Sequence, residues 1–252
     1  KVISRNGVGT DNVDLDAAQR LGIAVEKAAG ANSRGVAELA IALMLAGLRS
    51  IPLSDRQIKG GGWTRHEGIE VQGRMLGVIG CGQIGKFVIG MALGLGMAGC
   101  AYDLYPDAAF RPAGDFTYVT LPELLAAADV VSLHAPPGPK PVIDADAIAR
   151  MKPGAYLINT ARAALVDEEA VLQALDAGKL RGYATDVFDC EPPVMIPLLR
   201  HERVVTTPHA GGLTEESVER AAEAAVANLL KILEQPSPEP AQAILTTTSR
   251  GL

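Results

Sequence analysis

Short apolar runs alternate along the chain with segments of amphipathic helical spacing. Runs that predict strands lie at residues 1–4, 23–25, 130–134, 156–159, 183–187 and 204–206. Segments that predict helices lie at residues 14–22, 121–128, 144–151, 167–177 and 214–233. Strands that are apolar throughout and alternate with helices indicate a parallel sheet covered by helices on both faces. Ligands of such sheets bind beyond the carboxyl ends of the strands, so we expect the chemistry at that edge.

A more apolar helix is predicted over residues 32–49, with Asn32 or Ser33 as its N-cap. Its apolar residues cover most of the helix surface, so we expect it to be buried between domains or between subunits. The following segment, residues 51–72, is more polar and carries a run of three glycines before Trp63, the only tryptophan. This pattern predicts an exposed loop whose tryptophan either anchors an interface or packs locally.

The stretch from residue 75 to 103 has the order strand, tight turn, helix, strand, acid. Gly80, Gly82 and Gly85 have the spacing G-x-G-x-x-G, and a second apolar run ends at Asp103. The first glycine permits the turn, the second lets a pyrophosphate approach the backbone, and the third lets the helix lie close to the strand. The helix N-terminus offers free N–H groups to the phosphates. Asp103 lies close to the position, roughly 20 residues on, where a carboxylate binds the ribose hydroxyls. Because it would also repel a 2′-phosphate, the stretch predicts NAD rather than NADP.

Composition narrows the possible classes of function. The 252 residues are 48% hydrophobic and 21% charged, which is typical of a globular protein with one or two domains. A net charge of −6 argues against general affinity for nucleic acid or for an anionic membrane. The longest strongly apolar segment, residues 36–48, is too short to span a bilayer. Three widely spaced cysteines form neither a metal motif nor a disulfide framework, which favours a reducing cytoplasm.

Three polar residues, Arg162, Glu191 and His209, follow predicted strands at the expected edge. Taken singly, they are explained as a surface charge, a solvated loop residue and a turn histidine. Their shared placement at the cofactor edge favours catalysis instead. An arginine binds a carboxylate with two parallel hydrogen bonds, and a histidine exchanges a proton near neutrality. A nearby glutamate would favour the imidazolium and orient the ring. With NAD, these groups suit hydride transfer at a carbon that bears an oxygen next to a carboxylate.

Five motifs give the chain a resemblance to a known family. In order they are RNGVGTDNVD, ANSRGVAELAIALML, GVIGCGQIG with Asp103, LINTARAALVDEEAVLQAL, and TDVFDCEPP with TPHAGG. The chain resembles the D-isomer-specific 2-hydroxyacid dehydrogenases from residue 1 to about 233, most closely their D-3-phosphoglycerate dehydrogenase-like branch. The resemblance implies an α/β fold: a Rossmann-type doubly wound parallel sheet with remnants of a second, flavodoxin-like substrate domain. The implied segments are a substrate-domain remnant at 1–30, the NAD-binding domain at 31–212, a helix returning to the substrate domain at 213–234, and a tail at 235–252.

The resemblance also implies roles for individual residues. The catalytic residues would be Arg162 on the substrate carboxylate and oxygen, His209 as general acid and base, and Glu191 as its partner. NAD would be bound by Gly80, Gly82, Gln83, Ile84, Gly85, Asp103, His134, Ala135, Pro136, Thr160, Ala161, Asp186 and His209. Substrate would be bound by Gly7, Val8, Gly9, Asn32 and Arg162. From the residues alone, the turn at 7–9 is a simple strand-to-helix turn, although its N–H groups could face an anion.

In the implied reaction, NADH gives hydride to a 2-oxo carbon while protonated His209 supplies the proton, and oxidation is the reverse. Phosphoglycerate, hydroxypyruvate and glyoxylate stay open as substrates. The family has a substrate-domain portion ahead of the RNGVG segment, so we expect this chain to be a piece of a longer protein. The usual Arg-Gly-Gly or Arg-Gly-x is replaced by Arg162-Ala163-Ala164, and alanine restricts φ where glycine would not.

Two other functions stay open. One is an NAD-sensing binding protein, as in the corepressors that share this fold, although Arg162, Glu191 and His209 are all present. The other is a phosphite or formate dehydrogenase of the same superfamily. Formate enzymes usually have glutamine in place of the glutamate, so Glu191 argues against that branch. For partners we expect a small 2-hydroxy or 2-oxo acid, no nucleic acid, no membrane, and a second copy of the chain docked through residues 32–63.

Overall fold

The computed structural model describes residues 1–10 and 12–234, and the predicted tail at 235–252 lies outside them. The chain divides into two compact units. The small unit comprises Lys1–Ala29 and the chain from Arg220 onward, and the large unit is Gly30–Glu219. The assignment of substrate-binding and NAD-binding roles to segments bounded at residues 30 and 212 stays a prediction.

The elements of the described residues follow the predicted alternation of strands and helices. The strands are β1 (Val2–Arg5), β2 (Ala24–Lys27), β3 (Met75–Ile79), β4 (Ala98–Tyr102), β5 (Phe116–Tyr118), β6 (Val130–Leu133), β7 (Ala155–Asn159), β8 (Leu180–Thr185) and β9 (Val204–Thr206). The helices are α1 (Leu15–Arg20), α2 (Ser33–Leu48), α3 (Ile51–Lys59), α4 (Gln83–Gly94), α5 (Leu121–Ala127), α6 (Ala145–Arg150), α7 (Glu168–Asp176), α8 (Pro197–Arg200) and α9 (Glu215–Leu233).

The large unit is built on a seven-stranded sheet in the order β5-β4-β3-β6-β7-β8-β9. Every neighbouring pair is parallel. This confirms the predicted Rossmann-type doubly wound fold. The strand order reverses between β3 and β6, and ligands of such sheets bind beyond the carboxyl ends at this reversal. The glycine-rich turn that follows β3 therefore lies at the expected place.

Two apolar layers cover the sheet. On one face, α2 and α4 pack over Leu76 and Val78. On the other, α5, α6 and α7 pack over Leu133 and Leu157. Half of the residues of α2 are buried inside the large unit, against α4, β7 and β8. Burial of its remaining apolar surface between domains or between subunits stays a prediction. Asn32 occupies the N-cap position but makes no side-chain capping hydrogen bond.

The structure adds elements that the apolar pattern missed. The segment predicted as a loop contains α3, a short and mostly polar helix with no buried residue. Its polar composition favours a loop, although its few apolar residues have amphipathic helical spacing. Edge strand β5 and the four-residue α8 are similarly short. Strand β8 begins three residues earlier than predicted and ends at Thr185, because Asp186 turns to bind a later loop. No single described helix is long and apolar enough to cross a bilayer, although α2 and α3, bent by 61°, meet that requirement jointly.

The small unit pairs β1 and β2 in parallel. Helix α1 begins after Asp14, whose side chain accepts a hydrogen bond of 2.8 Å from Ala17 N, as the sequence predicts. The C-terminal half of α9 packs on these strands. Ser4 Oγ donates to Ala225 O at 2.7 Å, and Asn228 Nδ2 donates to Lys27 O at 3.2 Å.

Candidate active site

The glycine-rich turn after β3 has the shape that a pyrophosphate requires. Gly80 has a φ of 91°, and a Cβ there would lie 2.6 Å from Ala135 N. A Cβ on Gly85 would lie 2.3 Å from Gly80 O, so α4 approaches the strand end as closely as predicted. A Cβ on Gly82 would meet nothing within 4 Å. The space over Gly82 and the start of α4 is therefore open to a phosphate at a helix N-terminus.

Asp103 follows the end of β4 and stabilises this turn by hydrogen bonding. Its Oδ2 accepts a hydrogen bond of 2.7 Å from Cys81 N, and its Oδ1 accepts one of 2.8 Å from Tyr105 N. Each carboxylate oxygen has about two acceptor positions, so both retain one for a ribose hydroxyl. The carboxylate is thus fixed where its charge would oppose a 2′-phosphate.

Buried polar atoms without partners mark the same edge of the sheet. Among the described residues, Asn32 Oδ1, His134 Nδ1 and Thr160 Oγ1 are buried without a hydrogen-bond partner. They lie before α2, after β6 and after β7. A buried polar atom left unpaired costs about 1–3 kcal/mol, and a bound dinucleotide or substrate would supply the missing partners. The residues present therefore fit an NAD site.

Burial also sets the charge of His134. Its Nε2 lies 2.8 Å from Ser132 Oγ. Burial lowers the pKa of this imidazole to about 3, so the ring is neutral at physiological pH. A neutral ring next to the cofactor cleft adds hydrogen-bonding capacity without a positive charge.

Arg162 is positioned by Asn159, the last residue of β7. The buried Asn159 side chain donates from Nδ2 to Arg162 O at 2.8 Å and accepts from Ala161 N at 3.1 Å. Arg162 is half-buried, and its Nη1 donates to Ala161 O at 2.7 Å. The two residues after it, Ala163 and Ala164, lie in a 3-10 turn and have no positive φ. Alanine therefore meets the backbone requirement at the positions where the family usually has glycine.

The imidazole of His209 and the carboxylate of Glu191 are in hydrogen-bond contact. His209 Nδ1 lies 2.8 Å from Glu191 Oε1 and 2.9 Å from Oε2. Because Nδ1 faces the carboxylate, Nε2 is the nitrogen left to exchange a proton. His209 has a φ of 51°, which is uncommon for a residue with a side chain. Surrounding contacts must hold this conformation.

Asp186 supplies these contacts. Its buried carboxylate accepts hydrogen bonds from Thr207 Oγ1 at 2.6 Å, Ala210 N at 2.7 Å and Gly211 N at 2.8 Å. The bonds bracket His209 on both sides. The family resemblance implies that Asp186 binds NAD, and its bracing of the histidine loop was missed. The available signal was a carboxylate directly after a fully buried strand, where it must find several donors.

The predicted site residues divide between the units. Those of the large unit follow β3, β4, β6, β7, β8 and β9 or precede α2, all toward the carboxyl edge: Asn32, Gly80, Gly82, Gln83, Ile84, Gly85, Asp103, His134, Ala135, Pro136, Thr160, Ala161, Arg162, Asp186, Glu191 and His209. Asn32 also approaches the histidine loop, since a Cβ on Gly212 would lie 3.0 Å from Asn32 Nδ2. Gly7, Val8 and Gly9 lie in the small unit, after β1, where Gly7 O accepts a hydrogen bond from Ala28 N at 3.0 Å. The roles of these residues stay predictions.

Comparison with known proteins identifies the family. Residues 41–211 match the family model described as D-isomer specific 2-hydroxyacid dehydrogenase, NAD binding domain. The chain belongs to this family. The resemblance inferred from the sequence and NAD as the cofactor are thereby confirmed.

Curated relatives of this family member include two D-3-phosphoglycerate dehydrogenases. That of Methanocaldococcus jannaschii is 43% identical over 238 residues, covering 92% of this chain and 45% of the relative. That of Mycobacterium tuberculosis is 40% identical over 225 residues, covering 88% of this chain and 43% of the relative. The chain thus spans a little less than half the length of these relatives.

Solved structures agree with the fold. The TT0316 protein from Thermus thermophilus is 40% identical with a TM-score of 0.85, covering 95% of this chain and 78% of that one. A glyoxylate reductase from Paecilomyes thermophila is 34% identical with a TM-score of 0.86, covering 93% of this chain and 73% of that one. An NAD-dependent formate dehydrogenase from Staphylococcus aureus, solved with NAD, is 31% identical with a TM-score of 0.85. The match covers 95% of this chain and 74% of that one.

Proposed function

We propose that this protein interconverts a D-2-hydroxy acid and its 2-oxo acid. The observation that carries the proposal is the hydrogen-bonded His209–Glu191 pair, on the loops after β8 and β9 at the carboxyl edge of an NAD-binding domain. NAD, when bound, supplies or accepts the hydride. Asp103 and the glycine turn would hold the dinucleotide, and the Arg162 guanidinium would bind the substrate carboxylate.

The protein's own groups move the proton. In the reducing direction, His209 Nε2 donates a proton to the carbonyl oxygen. In the oxidising direction, the neutral ring accepts a proton from the hydroxyl. Glu191 stabilises the imidazolium and holds Nδ1, so that Nε2 points in one direction. Because relatives of the chain include D-3-phosphoglycerate dehydrogenases and a glyoxylate reductase, we propose a substrate of the 3-phosphoglycerate, hydroxypyruvate and glyoxylate class.

A steady-state assay of NADH oxidation with these 2-oxo acids tests the proposal. His209→Ala should lower kcat by about 10²- to 10⁴-fold, the usual contribution of a general acid or base. NADH affinity, measured by fluorescence, should be retained. The matched control is His201→Ala, which lies ahead of β9 rather than after it. Near-normal turnover of His209→Ala would overturn the catalytic assignment, and tight NADH binding without turnover of any 2-oxo acid would favour a cofactor-sensing protein.

We also propose that two copies associate through residues 32–63. Half of the residues of α2 are buried inside its own unit, so the contact would come chiefly from α3 and the loop after it. Ile51, Ile58 and Trp63 are 54%, 53% and 78% exposed, an unusual display of large apolar side chains. Sedimentation velocity should show a dimer that Trp63→Ser weakens, and a monomer at all concentrations would exclude it.

We propose a reducing compartment such as the cytoplasm because the cysteines are free thiols. Cys81, Cys100 and Cys190 are all unpaired, and Cys190 is exposed. Thiol titration of the purified protein should find one reactive thiol, the exposed Cys190, under native conditions and three after denaturation, because Cys81 and Cys100 are buried. Fewer than three after isolation without reductant would argue against this compartment.

A further inference from the structure

The loop that follows β4 carries a second acidic residue after Asp103. Asp107 lies four positions further on, and its Oδ2 accepts a hydrogen bond of 2.5 Å from Lys86 Nζ. Lys86 belongs to the first turn of α4, the helix that follows the glycine-rich turn. This ion pair therefore joins the loop after β4 to the helix whose N-terminus faces the expected pyrophosphate position.

Other contacts hold the Lys86–Asp107 pair in place. Asp107 Oδ1 accepts a hydrogen bond of 2.9 Å from Ala109 N, and Lys86 Nζ lies 5.5 Å from the centre of the Phe110 ring. The hydrogen bond from Lys86 is the main cause that lowers the pKa of Asp107, and the charge of Arg111 lowers it further. The Asp107 carboxylate is therefore negatively charged at neutral pH, and the Lys86 ammonium is engaged by it.

Cys81, in the glycine-rich turn, shows that this pair lies close to Asp103. Its backbone N–H donates to Asp103 Oδ2 at 2.7 Å. Burial raises the pKa of its thiol, and the charges of Asp103, Lys86 and Asp107 also act on that pKa. One ammonium and two carboxylates are thus gathered around a single side chain. They lie at the end of the cofactor cleft where a carboxylate such as Asp103 binds the ribose hydroxyls.

A 2′-phosphate on the cofactor would bring negative charge to this end of the cleft. Proteins that accept the group place a cationic side chain near it. Lys86 has the charge for this task, and its side chain is 32% exposed. Its ammonium is bound to Asp107, however. A 2′-phosphate would therefore have to displace one carboxylate from Lys86 and also approach a second carboxylate, that of Asp103.

We propose that Asp107 is a second determinant of the preference for NAD over NADP, acting through Lys86. Asp103 opposes a 2′-phosphate by its own charge, whereas Asp107 withholds the cation that could bind the phosphate. The loop after β4 thus excludes the group twice, with two carboxylates that have different tasks. The proposal rests on the binding of NAD by this family and not on the reaction proposed above, so binding measurements test it without turnover.

Fluorescence titrations of the full chain with NADH and with NADPH measure the preference. Asp107→Asn should tighten NADPH binding about tenfold, because the freed Lys86 gains a charge-assisted hydrogen bond to the phosphate. The affinity for NADH, which lacks that phosphate, should be unchanged. In the double variant Asp103→Asn/Asp107→Asn, NADPH should bind more tightly than in either single variant, because both obstacles are removed.

Lys86→Gln in the Asp107→Asn background is the decisive control. It should remove most of the gain in NADPH affinity, because glutamine has no charge to offer the phosphate. Asp176→Asn, at the end of α7, also removes one negative charge and should change neither affinity.

Three results would overturn the proposal. One is an unchanged NADPH affinity in Asp107→Asn. Another is a gain that remains undiminished after Lys86→Gln, because Asp107 would then act without Lys86. The third is an equal weakening of NADH and NADPH binding by Asp107→Asn, because the ion pair would then only hold the loop in place.

Discussion

At the residue scale, the exposed catalytic candidates depend on buried side chains beneath them. Asn159 braces the backbone on both sides of Arg162. Asp186 braces the loop on both sides of His209 and so maintains its uncommon backbone conformation. A side chain that must meet a substrate cannot itself be packed tightly, so its position is set through neighbours that are.

Asp186→Asn tests this bracing. Asparagine presents one acceptor oxygen where the carboxylate presents two, so at least one backbone N–H of the loop loses its partner. We expect kcat to fall about 10- to 100-fold through misplacement of His209, with a smaller change in NADH affinity. Steady-state kinetics and NADH fluorescence measure the two effects.

The control for that variant is Asp176→Asn on α7, whose side chain is 66% exposed. It should leave both parameters unchanged. If Asp186→Asn lost NADH affinity as strongly as turnover, the carboxylate would act on the cofactor rather than through the histidine loop.

His134 gives a pH dependence of stability. Its pKa falls from 6.5 to about 3 on folding, so between these values the unfolded chain binds more protons than the folded chain. The stability that His134 contributes is therefore complete above pH 6.5 and is lost as the pH falls through this window. From pH 7 to pH 5 the loss is about 2 kcal/mol.

Urea unfolding at the two pH values measures this loss. His134→Gln, which cannot titrate, should show a smaller decrease in the free energy of unfolding than the wild type. His66 lies at the other edge of the sheet, so the free energy of unfolding of His66→Gln should decrease as much as that of the wild type. Equal decreases in all three proteins would contradict a buried neutral His134.

At the scale of elements, close helix packing depends on particular glycines. Gly47 lies in α2 against the Tyr156 ring, where a Cβ would be 1.7 Å from the hydroxyl oxygen. Gly90 lies in α4, and a Cβ there would meet nothing within 4 Å. Two helical glycines thus have opposite packing requirements, although the local sequence does not distinguish them.

Substituting both glycines by alanine tests this difference. Gly47→Ala should destabilise the protein by about 1–3 kcal/mol, because the methyl group overpacks α2 against β7. Gly90→Ala should stabilise it by up to about 1 kcal/mol, because alanine is the better helix former. Urea unfolding compares both with the wild type. Stabilisation by Gly47→Ala would show that α2 can shift away from the sheet without cost.

At the scale of the whole molecule, the NAD site belongs to one unit. Every predicted NAD-binding residue lies within Gly30–Glu219. The glycine turn at 7–9, predicted to bind the substrate carboxylate, lies in the other unit. The predicted NAD-binding residues thus come from one unit, whereas the predicted substrate-binding residues come from both, since Asn32 and Arg162 lie in the large unit.

A protein comprising residues 30–219 alone should bind NADH about as tightly as the full chain, because it contains every predicted NAD-binding residue. It should not turn over 2-oxo acids, because it lacks the turn at 7–9. NADH fluorescence and the steady-state assay measure both properties, and circular dichroism verifies folding. Asp103→Ala in the same segment is the control for a specific site and should weaken NADH binding. A folded segment that does not bind NADH would contradict the placement of the NAD site in one unit.

The parallel α/β fold, NAD as the cofactor and the placement of Arg162, Glu191 and His209 after strands could be predicted from the sequence. These follow from local patterns, since apolar periodicity and glycine spacing involve neighbouring residues. Helix α3 and the shortest elements were not predicted, because α3 is mostly polar and the others have too few residues to show a period.

How those parts are held depends on contacts that form only in the folded chain. Asp186 contacts residues 207–211, and the Tyr156 ring packs against Gly47 and Gly182. These contacts connect positions far apart in sequence, and no local pattern specifies which polar atoms they satisfy. The glycine turn could be identified from its spacing, whereas the Asp186 hydrogen bonds and the packing of Tyr156 exist only after the strands are in register.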